Sequence, residues 1–143
     1  MDALELLEQD HAKVKKLFEQ AEDADQKEQQ AIFTQIKTEL EIHTQIEESV
    51  FYPAMQRYNE LKDMVAESLE EHNKVKTLLK EMDSLSGDDF EDKLEELIDN
   101  VEHHAEDEEE SKMFPKVREL VSAAELDKLG AQLQAAKGQR KAS

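Results

Sequence analysis

His43-Thr44-Gln45-Ile46-Glu47-Glu48-Ser49-Val50-Phe51-Tyr52-Pro53 is the stretch that decides how the chain reads. It sets a histidine and a carboxylate four residues apart inside a run of helical character. Four residues turn a helix through about 400°, so the two side chains stack on one face. By this spacing one helix offers a nitrogen and an oxygen to the same metal ion. The pattern nearly recurs downstream, in His103-His104-Ala105-Glu106-Asp107-Glu108-Glu109-Glu110-Ser111-Lys112-Met113-Phe114-Pro115. The rest of the sequence reads as scaffold for these two stretches.

Outward from the first stretch, a helix beginning near Gln29 carries Ile32, Ile36, Leu40, His43, Glu47 and Val50 on one stripe. Pro53 should bend or end it, because proline lacks the N–H and clashes with the preceding turn. Upstream, Leu4, Leu7, His11, Val14 and Phe18 place a first helix over Asp2 to Ala21, with residues 22–28 as a turn. A third helix, Leu61 to Ser84, turns Val65, Leu69, His72, Val75, Leu79 and Met82 inward. Ser84 to Asp88 is a loop in which Ser86 or Asp88 would cap the next helix. The fourth helix carries Phe90, Leu94, Leu97, Val101 and His104 and ends near Val121. Ser122 to Glu125 reads as a capping box that opens a short fifth helix to about Ala136, followed by a frayed tail from Gly138.

An internal repeat supports this division. Asp10-His11-Ala12-Lys13-Val14-Lys15 matches Glu71-His72-Asn73-Lys74-Val75-Lys76 at an offset of 61, and His43 to His104 repeats that offset. Pro53 to Pro115 is offset by 62, so one residue has entered the fourth helix between its histidine and its proline. Two related helical hairpins packed together predict an all-α, up-down-up-down four-helix bundle over residues 1–121, with the short helix and tail over 122–143. The inserted residue also bears on which acid faces inward. Glu108 leads on to Ser111 and Lys112, whereas Glu109 leads to Met113, Val117 and Leu120, which is better core. A π-bulge would turn Glu109 to the seam, so Glu109 is the first choice and Glu108 the second.

Composition limits the chemistry. The chain has 143 residues, three glycines, two prolines and a formal net charge of -18, which argues against a nucleic-acid partner. No cysteine is present, so thiolate sites and disulfides are excluded. No apolar run reaches the roughly 18 residues of a membrane span. Met1 to Glu5 lacks the features of a signal peptide, which gives a cytoplasmic expectation without a membrane partner.

Four of the five histidines fall on core stripes, one per helix, and would meet Glu47 and Glu109 at one level. Any one of them alone is more often a packed core histidine, and a nearby lysine such as Lys76 could neutralise either acid. The shared depth of six repeat-related groups favours metal. Buried carboxylates need a partner, imidazole with carboxylate suits iron, manganese or zinc, and two bridging acids fit a metal pair better than one ion.

His11, His43-x3-Glu47, His72 and His104-x4-Glu109, with their Phe-Tyr-Pro and Met-Phe-Pro tails, resemble the hemerythrin-like (HHE cation-binding) domain over residues 2 to 121. The resemblance implies two iron ions with an oxo or hydroxo bridge. On it, the four histidines are terminal ligands and Glu47 and Glu109 bridge; manganese or zinc are substitutes. Respiratory members carry a second histidine where this chain has Lys76, so Glu8, Glu48 or His103 are weaker candidates for a replacement ligand. The resulting expectation is a protein that binds or senses O2, NO, redox or iron state, with a diatomic ligand or peroxide as its small-molecule partner. Two alternatives stand beside it: a catalase-like, peroxide-decomposing di-iron enzyme, and a metal-free helical interaction module with an unknown protein partner. A ferritin-like oxidase would need two Glu-x-x-His motifs, and only Glu8-Gln9-Asp10-His11 fits.

Overall fold

Asp2 starts the first helix: its carboxylate accepts from the Glu5 N–H at 2.9 Å, and Glu5 returns the bond to the Asp2 N–H at 3.1 Å. The computed structural model describes residues 1–142, and among these every regular element is helical. Helix α1 is Ala3–Asp23 and α2 begins as Gln26–Ile46. The turn expected over residues 22–28 is therefore shorter. Asp25 caps α2 by accepting from the Glu28 N–H at 2.9 Å, and buried Gln29 donates to the Ala21 carbonyl at 3.0 Å.

Helix α2 does not stop at Pro53. A π-helical turn, Glu47–Phe51, passes into a last α-turn, Tyr52–Met55, with the proline in its first positions. The widened turn accommodates a residue that has no N–H to give. A single 3₁₀ turn, Asn59–Leu61, leads into α3, Lys62–Met82. Helix α4 opens as Gly87–Glu102, with Ser86 in the cap position but no side-chain cap bond, and Gly87 takes a positive φ of 62°. It continues through a π segment, His103–Met113, and ends as Phe114–Leu120, again with proline at the start of the final turn. The expected one-residue bulge is thus an 11-residue π segment.

Helix α5, Ala123–Ala142, is 20 residues long. The expected frayed tail is helical through Ala142, and Ser143 lies outside the described residues. Leu126, Leu129 and Leu133 of α5 are buried against α1 and the end of α2. Gly130 makes this packing close: a Cβ there would sit 2.5 Å from the Met1 carbonyl oxygen.

Helices α1 with α2, and α3 with α4, form the two hairpins of the bundle. Two apolar cores fill it. One gathers Leu4, Leu7, Ile46, Phe51, Leu61, Phe114 and the α5 leucines; the other gathers Val14, Phe18, Phe33, Ile36, Leu79, Phe90 and Leu97. Between them lies a polar layer. Among the described residues no helix is long and apolar enough to cross a membrane.

Candidate metal centre

Each helix of the bundle contributes one histidine to the polar layer: His11 from α1, His43 from α2, His72 from α3 and His104 from α4. Glu47 lies one α-turn beyond His43, at the start of the first π turn. In the second hairpin the π segment takes five residues per step, so Glu109, not Glu108, arrives beside His104. Glu47 and Glu109 have no exposed surface, and His43, His72 and His104 are buried. The His11 side chain is 8% exposed.

The six groups interlock across the hairpins. Glu47 Oε1 lies 2.9 Å from His43 Nε2 and 3.1 Å from His72 Nε2. Glu109 Oε1 lies 3.0 Å from His11 Nε2 and 3.6 Å from His104 Nε2. Each carboxylate thus touches one histidine from each hairpin. The rings pair edge-on within this layer, His11 with His43 at 4.9 Å and His72 with His104 at 4.8 Å. Two sets of donors result, His11-His43-Glu47-Glu109 and Glu47-His72-His104, each with its ligand atoms within 4.8 Å of one another.

A second ring of carboxylates holds the histidines from behind. His43 Nδ1 donates to Asp10 at 3.0 Å, and His104 Nδ1 donates to Glu71 at 2.7 Å. His72 Nδ1 donates to Glu48 at 2.8 Å, and His11 Nδ1 donates to Glu110 at 2.7 Å. With each proton placed on Nδ1, each Nε2 lone pair faces the centre. Outer carboxylates of this kind fix the tautomer and orientation of metal-binding histidines. Of these four acids only Glu48 stands out in the sequence. The repeat held the signal: Asp10 and Glu71 each precede a histidine, and Glu48 and Glu110 each follow an inward glutamate.

Burial and charge pull against each other here. Burial disfavours charge on His43, but the Glu47 carboxylate beside it and the bond to Asp10 override it and raise its pKa to about 10. His11 and His104 are also raised against the effect of burial, His11 by the adjacent carboxylates of Glu109 and Glu110, His104 by Glu109, Glu47 and Glu71. Burial would push Glu47 up, yet the surrounding imidazoles hold it well below the usual carboxylate range. Burial and the two negative carboxylates push Tyr52 well above the usual phenol value, so it remains a donor. Its hydroxyl gives a 2.6 Å bond to Glu109 Oε2 and lies 3.2 Å from His72 Nε2. Helical spacing does not single out Tyr52; only its place one residue before Pro53 marks it.

The weaker candidates fall outside the layer. Glu8 is exposed, Glu48 acts on the outer nitrogen of His72, and Lys76 is paired with Glu48 at 2.8 Å. Glu108 and His103 face the surface, where His103 is 54% exposed.

Whether the inner six fit a metal is decided by atoms left unpaired. His11 Nε2, His43 Nε2, Glu47 Oε2 and Glu109 Oε1 are buried without a hydrogen bond. The first two stand about a hydrogen-bond length from a carboxylate, but the directions are wrong for one. Two donors at right angles on one ion, each about 2.1 Å from it, stand about 3 Å apart. His72 Nε2 and His104 Nε2 likewise face each other at 3.1 Å. Orphaned donors at the separation of coordination partners fit bound metal.

Comparison with known proteins agrees. Residues 2–117 match the family described as the hemerythrin HHE cation binding domain. A solved structure of a hemerythrin HHE cation binding domain-containing protein from Mycobacterium kansasii superposes with a TM-score of 0.87 at 29% identity, covering 99% of this chain and 88% of that one. A DNA nickase from Nostoc sp. is 29% identical over 140 residues, 96% of this chain but 39% of the relative. The chain therefore spans about two fifths of the length of that curated relative.

Proposed function

The chain belongs to the hemerythrin HHE cation-binding family, and on that premise we propose that it holds two iron ions side by side and uses them to bind or sense O2 or NO, or to respond to redox or iron state. His11 and His43 would hold one ion, His72 and His104 the other, with Glu47 and Glu109 bridging. The observation that carries this reading is the crossed contact pattern, in which each buried carboxylate touches a histidine from both hairpins. Iron in such a site supplies electrons and open coordination positions.

The chain's own residues set the terms. Asp10, Glu48, Glu71 and Glu110 keep the imidazoles aimed inward, and the two apolar cores exclude water from both ends. Beside the histidines a cavity of about 20 Å³ has walls that include Val14, Leu40, Val75 and Ala105. A single water needs roughly 10–15 Å³, so a diatomic molecule suits this cavity and an organic substrate does not. Anaerobic loading with ferrous iron, oxidation, and measurement of iron content with an optical spectrum test the proposal. Two irons per chain with charge-transfer absorption support it; one iron, or none, overturns it.

One observation favours a second reading, peroxide decomposition. Glu109 Oε1 lies closer to His11 than to His104, 3.0 against 3.6 Å, so the His72 side is held less fully, with Lys76 turned away to Glu48. A less crowded ion leaves room for peroxide, and oxygen evolution above that of free iron would establish it. A net charge of -18 opposes contact with a phosphate backbone, so the Nostoc relative's DNA nicking is not proposed for this chain.

A further inference from the structure

The fifth histidine repeats, at the surface, the arrangement of the buried four. The π segment that brings Glu109 round to His104 also brings Glu108 round to His103, and Glu71 reaches across from α3. His103 Nε2 lies 3.4 Å from Glu108 Oε1 and 3.6 Å from Glu71 Oε2. These separations are long for hydrogen bonds. They match the edge, about 3.4 Å, of a tetrahedron of donors each about 2.1 Å from a central ion. His103 Nδ1 is meanwhile held by Asp107 at 3.1 Å, so its outer nitrogen rests on a carboxylate like every other histidine in the chain.

We propose that His103, Glu71 and Glu108 form a separate surface site for a divalent first-row transition ion. One imidazole with two carboxylates suits zinc, manganese or ferrous iron, whereas calcium and magnesium prefer all-oxygen sites. The Glu71 and Glu108 side chains are only 14% and 13% exposed, which holds them in place, while His103 stands open to water for the remaining ligands. Lys112 rests 3.2 Å from Glu108 Oε1 on a mostly exposed side chain and is the counter-charge an ion would displace. Glu71 Oε1 accepts from His104 Nδ1, so the surface ion would share a carboxylate with the outer ring of the buried centre. None of its three ligands belongs to the inner six, so zinc held here is counted apart from the buried iron.

The test is zinc binding by equilibrium dialysis to iron-loaded protein, with iron measured in the same sample before zinc is added. The wild type should retain one further zinc per chain. His103→Ala, at an exposed position, should weaken that binding at least about tenfold and leave the iron content unchanged. Lys112→Ala should tighten it. Failure of the buried iron reading would appear as missing iron before zinc is added, and dependence on His103 would still report on the surface site. Wild-type protein that retains no further zinc, or a His103→Ala variant that binds like the wild type, overturns the proposal.

Discussion

The two halves of the polar layer come from one repeated hairpin, yet they are not equivalent. In both, a histidine pairs edge-on with its neighbour and each Nδ1 rests on a carboxylate. They differ at the residue before the proline. Phe114 stacks on His11 at 6.2 Å, whereas Tyr52 sits against His72 and donates a hydrogen bond to Glu109. They differ also in outer support: the lysine that backs Asp10 on the His43 side is largely buried, whereas the one that backs Glu48 on the His72 side is 46% exposed. Duplication supplies a symmetric cage, and a few substitutions make its two positions chemically distinct.

The change expected to break this arrangement most completely is Glu47→Gln. Glu47 is common to both donor sets, and the amide keeps the shape while removing the negative charge. Metal content should fall from two ions per chain to one or none. Retention of two would show that the halves bind independently and that Glu47 does not bridge.

Next in size is the effect of pH. In the metal-free protein His43 stays protonated up to about pH 10, and His11 and His104 are also raised. The linked stability is in full force below the unfolded histidine value near 6.5 and fades as pH rises through those folded values. Metal binding needs neutral imidazoles and must expel these protons, so affinity should climb with pH by about tenfold per unit for each proton displaced. Proton release on zinc addition in weak buffer, with isotherms near pH 6 and pH 8, measures this. A flat profile would mean that the imidazoles are already neutral.

Much of this was written in the sequence, for reasons that individual residues show. The stripe through Leu40, His43 and Glu47 gave the second helix and its inward face. The repeat offset, 61 at the histidines and 62 at the prolines, marked irregularity in the fourth helix and favoured Glu109 over Glu108. The π turn at Glu47–Phe51 left no such mark, because an offset between halves shows only what one half has and the other lacks. The length of α5 is hidden for a different reason. Polar residues from Gly138 onward suggest fraying, but the helix is held from its other side by Leu126, Leu129, Leu133 and the close contact at Gly130. Tyr52 escaped because a buried phenol and a buried phenylalanine look alike in a hydrophobic stripe.

Tyr52→Phe sharpens the comparison by making the two halves more alike. It leaves Glu109 Oε2 without its donor, which should cost the metal-free protein about 1–3 kcal/mol. Loaded protein should lose less, since coordination would satisfy Glu109 from the other side. Thermal melts of both forms decide the point, and an equal loss in each would mean that the hydroxyl acts only in packing.

The smallest effect is expected at the two lysines. Lys76 binds both oxygens of Glu48 at 2.8 and 2.9 Å, but its side chain is 46% exposed, and exposed pairs contribute only about 0.2–1 kcal/mol. Lys137 of α5 meets Asp10 where both are largely buried, so removing it leaves a carboxylate with His43 as its remaining partner. Burial would raise Asp10, but His43 and Lys137 hold it below the usual 3.8. Its contribution is therefore present above pH 3.8 and lost as pH falls through the lowered folded value. Lys137→Met should shift acid unfolding to higher pH and cost more at neutral pH than Lys76→Met, which should stay under about 1 kcal/mol. If the order is reversed, α5 does not brace the His43 side, and the outer support of the two halves is more alike than their burial indicates.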